Sequence, residues 1–254
     1  MQKNQNNKSS LELYSAVRPD FSLSWIELWN MLGLDDQTPR HVLDVGCGTG
    51  RSSSWLSLGT KFVTGIDRDW ESLQIASKLV PGENVTFYHC GAEQIGEVDI
   101  LNRGIDAVVF CGSLEWIELK SFRKSLSKLG AKSVPAVCQW TWFDCREQLT
   151  REWHSLFRKF LGHQYGKDPD EALWKAYGNL DSPRYIFRKL KQSYAPSELE
   201  HLVKSSSYWR EGLPPWNSEG LRDSVDRFAE HHSGAKNIEL SFVEVSVGGI
   251  LRCF

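Results

Sequence analysis

The ten residues His41-Val-Leu-Asp-Val-Gly-Cys-Gly-Thr-Gly50 join a short apolar run, an acid and three alternating glycines, and they govern what this chain of 254 residues can bind. Gly46, Gly48 and Gly50 place no side chain between backbone and ligand and adopt positive φ freely, so main-chain groups can approach a bound molecule closely. A helix beginning near Arg51 would aim its unpartnered N–H groups into the same crevice, where a polar or anionic group is received. Counting from Gly46 gives G-x-G-x-G, with Arg51 standing where a dinucleotide fingerprint needs its last glycine, which weakens an NAD reading. The loop also lacks the lysine of a phosphate-cradling Walker A turn.

The elements that must position this turn follow from periodicity. Val42, Leu43 and Val45 form the continuous apolar run of a strand covered on both faces, and it ends at Gly46. Lys61 to Ile66 reads as a second strand ending at Asp67, 23 residues beyond Asp44, which leaves room for one helix between parallel strands. An acid at that position is placed to accept both hydroxyl hydrogens of a ribose. The alternative is that Asp67 caps a helix beginning at Trp70. Val85 to His89 reads as a third strand, Ile105 to Phe110 as a fourth behind a turn at Asn102 to Gly104, and Val134 to Trp142 as a fifth. The alternation predicts an α/β, doubly wound sheet. Residues 145–234 have a mostly helical rhythm broken at Pro169, Pro183, Pro196 and Pro214-Pro215, and are read as a helical lid and substrate region over the carboxyl edge of the sheet. Asn237 to Phe254 alternates as two strands or one long bent strand, with a break near Gly248-Gly249. The expected division is a disordered start at 1–10, a Rossmann-like domain at 11–144 and 235–254, and the lid at 145–234.

The pattern D-x-G-x-G-x-G from Asp44 resembles the S-adenosylmethionine site of class I methyltransferases, whose glycine turn lies against the methionine part of the cofactor. Cys90-Gly-Ala-Glu-Gln-Ile95 resembles that family's G-x-A-E-x-L segment, which implies that Ala92 offers a backbone N–H to adenine with Glu93 beside it. Gly91 stands where many relatives carry an acid, and it cannot accept from the adenine amino group. Ser113-Leu-Glu-Trp-Ile117 is similar to the S-L-Q-W-L/V segment of the trans-aconitate methyltransferase-like group, whose tryptophan lies at the cofactor and acceptor pocket, the position of Trp116. Tyr14-Ser-Ala-Val-Arg18-Pro19-Asp-Phe21 resembles the same group's Y-x-x-x-R-P-x-Y/F. An arginine fork there is suited to the methionine carboxylate. The resemblance covers residues 11–142 and, more loosely, the closing strands. It implies a seven-stranded sheet ending in an antiparallel pair, and a cofactor site of Tyr14, Arg18, Asp44, Gly46, Cys47, Gly48, Asp67, Arg68, Ala92, Glu93, Cys111 and Trp116.

Methyl transfer from a sulfonium is an in-line displacement, so holding acceptor, methyl carbon and sulfur collinear is the main catalytic task. A carboxylate acceptor is already ionised near neutral pH, whereas an alcohol, phenol or amine calls for a base. The catalytic candidates are Trp116, His154 and Glu115, and the acceptor-binding candidates Trp140, Trp142 and Arg146. The region after the fifth strand is rich in aromatic residues, most of them core and a few placed to wall a pocket.

Net charge is −2 with acids and bases interspersed, so no basic stripe advertises nucleic-acid binding. The six cysteines form no C-x-x-C pair and read as reduced, and His231-His232 reads as a polar helix end, so no metal site is expected. The polar start lacks the apolar core of a signal peptide, and no run approaches the roughly 20 apolar residues of a membrane span. The expected protein is a cytoplasmic monomer or homodimer that moves a methyl group to a small-molecule acceptor, with a carboxylate or hydroxyl oxygen favoured. Two alternatives stand beside it: a non-methylating biosynthetic reaction on the same fold, and a non-catalytic cofactor-binding or scaffold subunit.

Overall fold

The computed structural model describes residues 10–34, 39, 41–80, 82–98, 104–161, 169–205, 219–234 and 236–253. The expected disordered start lies, but for Ser10, outside the described residues, as do Tyr165, Tyr208, Trp209 and Trp216, four of the aromatic residues of the region expected to form a lid, and the prolines at 214 and 215. In chain order the elements begin α1 (Ser10–Val17), α2 (Trp25–Met31), β1 (His41–Val45), α3 (Arg51–Ser57), β2 (Phe62–Asp67), α4 (Trp70–Leu79) and β3 (Val85–His89). A short 3-10 helix (Ala92–Glu97) precedes β4 (Ala107–Cys111), and a second (Leu114–Trp116) precedes α5 (Leu119–Lys128) and β5 (Ser133–Phe143). There follow α6 (Gln148–Leu161), α7 (Pro169–Tyr177), β6 (Asp181–Tyr194), α8 (Pro196–Lys204), α9 (Glu219–Ser233) and β7 (Ile238–Arg252).

The seven strands form one sheet in the order β3-β2-β1-β4-β5-β7-β6. β1 pairs in parallel with β2 on one side and β4 on the other, so the winding reverses at its carboxyl end, where open α/β sheets bind ligands. Every residue of β1 is buried, as its apolar run requires. The last strand runs antiparallel to β5: Asp144 N–H donates to the Ser241 carbonyl and Cys253 N–H to that of Lys132, so the numbers rise on one strand as they fall on the other. It is antiparallel to β6 as well, since Lys191 pairs with Glu239 and Arg252 with Asp181.

The closing segment is therefore one continuous strand, with no break at Gly248-Gly249. Those glycines serve packing instead: a Cβ at Gly248 would lie 2.5 Å from Met31 Cγ, and one at Gly249 2.8 Å from the Asp181 carbonyl. A second difference lies in the segment expected to be mostly helical. β6 occupies fourteen of its residues and forms the sheet edge, where Pro183 and the basic side chains are tolerated because one side of the strand needs no partner.

The chain divides into two compact units. One comprises Phe21–Trp140, Pro169–Phe187 and Val245–Phe254, and its core includes Leu28, Val42, Leu56, Val63, Val109 and Val137. The other comprises Met1–Asp20, Thr141–Asp168 and Arg188–Glu244. Its core is built from α6, α8, α9 and the strand ends beside them, with Trp153, Phe157, Leu199, Leu202, Val225 and Leu240 fully buried. The apolar spacing Trp153, Phe157, Phe160 is one face of α6, and Tyr194 closes the same core with its hydroxyl donating to the Val17 carbonyl at 3.0 Å.

Candidate functional site

The glycine turn follows β1 directly and is tied to β2, because Gly46 and Cys47 donate their N–H groups to the Ile66 carbonyl at 2.8 and 3.1 Å. Its three glycines have different work. Gly46 (φ +70°) and Gly50 (φ +81°) also avoid collisions, since Cβ atoms there would lie 2.6 Å from Ser113 Cβ and 2.9 Å from Ala76 Cβ. Gly48 (φ +54°) faces open space, with nothing within 4 Å of where its side chain would project. Asp44 is wholly buried, and its Oδ2 accepts the hydroxyls of Ser52 and Ser53, both at 2.6 Å. Its Oδ1 is buried without a partner among the described residues. Burial pushes the Asp44 carboxyl up to about 6, against the two serine hydrogen bonds, which act to lower it. Cys47 is buried beneath the turn, its sulfur 2.9 Å from where a Cβ on Gly65 would stand, and burial drives its thiol well above the usual range.

Asp67 ends β2 and reaches back to the turn: Oδ2 accepts the Gly48 N–H at 2.7 Å and Oδ1 the Asp69 N–H at 2.8 Å. One backbone bond on each oxygen leaves both with capacity to accept another. The helix at Trp70 is capped by Asp69, which accepts from Glu71 N–H at 3.1 Å and from the Ser72 hydroxyl at 2.7 Å, so the capping alternative for Asp67 falls away. Arg68 is exposed, with His89 Nε2 3.0 Å from its carbonyl. The loop after β3 is bound to the same edge by Cys90 N–H donating to the Asp67 carbonyl at 3.1 Å. Beyond it Ala92 is buried at the head of the 3-10 helix and Glu93 is exposed.

After β4, Gly112 (φ +63°) again has nothing within 4 Å of its missing side chain, and its N–H donates to the Gln139 carbonyl at 2.8 Å. Cys111 Sγ lies 3.9 Å from Gln139 Oε1, while Gln139 Nε2 is buried without a partner among the described residues. Ser113 anchors the loop by donating its hydroxyl to the Val45 carbonyl. Glu115 accepts from the indole N–H of buried Trp140 at 3.1 Å, which joins two of the sequence candidates, and Trp116 stands 41% exposed. Lys175 of α7 donates to the carbonyls of Leu114 and Ile117, both at 2.9 Å, and so pins the Trp116 turn. A cavity of about 510 Å³ opens here, lined by Glu115, Trp116, Lys120, Arg123, Lys175 and Asn179 among others.

The remaining candidates belong to the second unit. Arg18 sits with its guanidinium 5.1 Å from the centre of the Tyr14 ring, so these two are brought together. Trp142 is half-buried near the end of β5. Arg146 gives its Nε and Nη2 to the two oxygens of Asp144 at 2.6 and 2.9 Å, which commits one edge of its fork internally. The side-chain hydrogen bond from Arg146 holds the Asp144 carboxyl below the usual range. His154 Nδ1 lies 3.4 Å from Cys145 Sγ, and burial lowers the imidazole pKa, which favours the neutral ring. Sequence reasoning passed over Gly112, Gln139, Lys175 and the Ser52-Ser53 pair. Only the glycine closing β4 carried a local signal, as a turn residue after an apolar run. Among the described residues no three histidine, cysteine or acidic side chains gather as a metal would need, and no helix is long and apolar enough to cross a membrane.

Strand order, switch point and glycine turn together are those of the Rossmann-like methyltransferase fold. A protein of Anaeromyxobacter dehalogenans, provisionally described as a type II methyltransferase, superposes with a TM-score of 0.61 at 16% identity over 93% of this chain and 98% of its own. The YcgJ protein of Bacillus subtilis does so with a TM-score of 0.51 at 16% identity over 88% of this chain and 98% of its own. Residues 42–132 match the family model described as a methyltransferase domain. An uncharacterized methyltransferase of Mycobacterium tuberculosis is 34% identical over 94 residues, 37% of this chain and 45% of that protein. A protein of Saccharomyces cerevisiae provisionally named an S-adenosylmethionine-dependent methyltransferase is 25% identical over 120 residues, 46% of this chain and 40% of its own length. The chain thus spans less than half the length of the curated relatives it matches. The chain has the fold of the Rossmann-like methyltransferases and matches a methyltransferase domain over residues 42–132, and its Saccharomyces cerevisiae relative is named for the cofactor S-adenosylmethionine.

The residues present fit that cofactor. An orphaned buried acceptor on Asp44 suits an amino group, an orphaned buried donor on Gln139 suits a carboxylate, and two open positive-φ glycines leave room for close approach.

Proposed function

We propose that this chain binds S-adenosylmethionine along the carboxyl edge of β4, β1 and β2 and transfers its methyl group to an oxygen of a small molecule. The observation that carries the reading is Asp67: held by the Gly48 and Asp69 N–H groups, its carboxylate keeps one acceptor site on each oxygen for a ribose diol. Asp44 and Gln139 take the polar groups of the amino-acid end, and the Gly48 and Gly112 backbones approach the ligand. Tyr14, Arg18 and Arg68 remain proposed cofactor residues on the strength of the motifs alone. The cofactor supplies a methyl group on a sulfonium, and the chain's own residues orient the acceptor and exclude water from it.

A small carboxylate is the favoured acceptor, with a hydroxyl as second choice. Support comes from the cavity beside Trp116, where Lys120, Arg123 and Lys175 stand together, Lys175 also donating to the Leu114 and Ile117 carbonyls and Arg123 to that of Asn179. The acids there are engaged: Glu115 accepts from Trp140, and Glu118 caps α5 by accepting the Lys120 and Ser121 N–H groups. A carboxylate arrives ionised at neutral pH and needs no base. The finer likeness to the trans-aconitate methyltransferase-like group rests on Ser113 to Ile117 and Tyr14 to Phe21. A cytoplasmic monomer or homodimer, with Trp140, Trp142 and Arg146 near the acceptor, belongs to the same reading, as does a division into a cofactor domain and a substrate region. Neutral His154 is the proposed base should the acceptor be an alcohol.

The test is calorimetry with S-adenosylhomocysteine, followed by mass analysis of small carboxylic acids and alcohols incubated with the protein and S-adenosylmethionine. Binding, and a product heavier by one methylene, are expected. A different mass change would favour the non-methylating alternative, and binding without turnover the scaffold one. Failure to bind S-adenosylhomocysteine would overturn the proposal.

A further inference from the structure

The ends of β4, β1, β2 and β3 stand side by side in the sheet, with about 4.8 Å between neighbouring strands. If the amino-acid end of the ligand lies at β4 and β1 and its ribose at Asp67 on β2, the base falls over the next strand end, the Cys90 to Glu93 loop of β3. The inference therefore rests on the cofactor reading above. Adenine presents an exocyclic amino group, a donor that needs an acceptor, and the loop's own Gly91 has no side chain to offer.

Gly91 is not a glycine for the sake of its backbone. Its φ of −72° and ψ of 154° are open to any residue. What it leaves is space, and Glu93 fills it: a Cβ on Gly91 would lie 2.4 Å from Glu93 Oε1, 2.8 Å from Cδ and 2.9 Å from Oε2. The capping bond of this 3-10 helix is made by another residue, since the Gly91 N–H donates to Gln94 Oε1 at 3.1 Å. Glu93 is thus exposed, carries none of the loop's cap and holds its carboxylate folded over residue 91. The carboxylate also bears on the neighbouring thiol: burial first, and the Glu93 charge second, push Cys90 up to about 11.

We propose that Glu93 is the residue that recognises the adenine amino group, its carboxylate standing where a side chain at position 91 would otherwise reach. A carboxylate only accepts hydrogen bonds, so it favours a 6-amino purine and repels the 6-oxo group of hypoxanthine. The choice of base is then made by a residue two positions along the chain from where the family motif locates it.

The experiment compares the affinities of S-adenosylhomocysteine and S-inosylhomocysteine for the wild type, Glu93→Ala and Glu93→Gln, with thermal melts as the folding control. The wild type should prefer the adenosyl compound by about tenfold or more, as a hydrogen bond to a charged group allows. Glu93→Ala should lose most of that preference through weaker adenosyl binding. Glu93→Gln should bring the two ligands close to equality, because an amide can also donate to a 6-oxo group. A preference kept at the wild-type level in Glu93→Ala overturns the assignment while leaving the cofactor reading intact. A wild type that binds neither compound overturns both.

Discussion

Replacement of Asp67 by alanine separates the two jobs that its carboxylate does. Within the protein it accepts the Gly48 and Asp69 N–H groups at 2.7 and 2.8 Å, at a half-buried strand end. Water can take over much of that role, so each lost bond costs about 1 kcal/mol and the variant should melt about 5 °C lower while staying folded. Toward the ligand the loss is greater. Two hydrogen bonds from a ribose diol to a carboxylate are each worth about 1.5 kcal/mol at the low end, which together weaken binding about 100-fold. Asp67→Asn keeps one carbonyl acceptor and should fall between, at about tenfold weaker than wild type. The assay is isothermal calorimetry with S-adenosylhomocysteine, run beside thermal melts of each variant. An Asp67→Ala protein that melts as expected but binds within threefold of wild type would refute the ribose assignment.

Asp44 and the glycines give further tests. The folded carboxyl of Asp44 is raised to about 6 while the unfolded one keeps the ordinary value near 3.9, so the folded chain holds its proton where the unfolded chain has lost it. Its contribution is fully present below about pH 4 and disappears as pH rises to about 6, a loss of about 3 kcal/mol. Urea unfolding across that range should show this slope in the wild type and not in Asp44→Asn, and an identical slope in both would count against the burial argument. Gly50→Ala combines a left-handed φ with contacts of 2.9 and 3.0 Å to Ala76 and Phe87, and should cost about 3 kcal/mol in urea unfolding. Gly48→Ala meets open space, should cost about 1 kcal/mol, and should still weaken S-adenosylhomocysteine binding tenfold or more. The reverse order of stabilities would contradict the division of labour within the turn.

Much of the carboxyl edge of the sheet was legible in the sequence because its signals are local. A buried parallel strand is a continuous apolar run, and glycines punctuate its end, so β1, β3 and the turn at Gly46 were found at their observed positions. β2, β4 and β5 came within a residue or two at each end. β6 was missed because only Ile186, Leu190 and Tyr194 mark its inward face, with Arg184, Arg188, Lys189 and Lys191 set among them. Its pairing with β7 makes it a strand, and that partner lies more than forty residues away in sequence.

The amino-acid sequence by itself determined the strand-turn-helix at Asp44 to Gly50 and the acid at the end of the second strand, since both depend on neighbours a few residues apart. Only the tertiary structure decided what those residues do. It freed Asp67 from capping by giving that role to Asp69, and it left Asp44 Oδ1 and Gln139 Nε2 buried without partners. It also engaged one edge of Arg146 with Asp144, and folded Glu93 over Gly91. Burial, orphaned hydrogen-bonding groups and competition for a partner are properties of atoms brought together in space, and residue order alone does not express them.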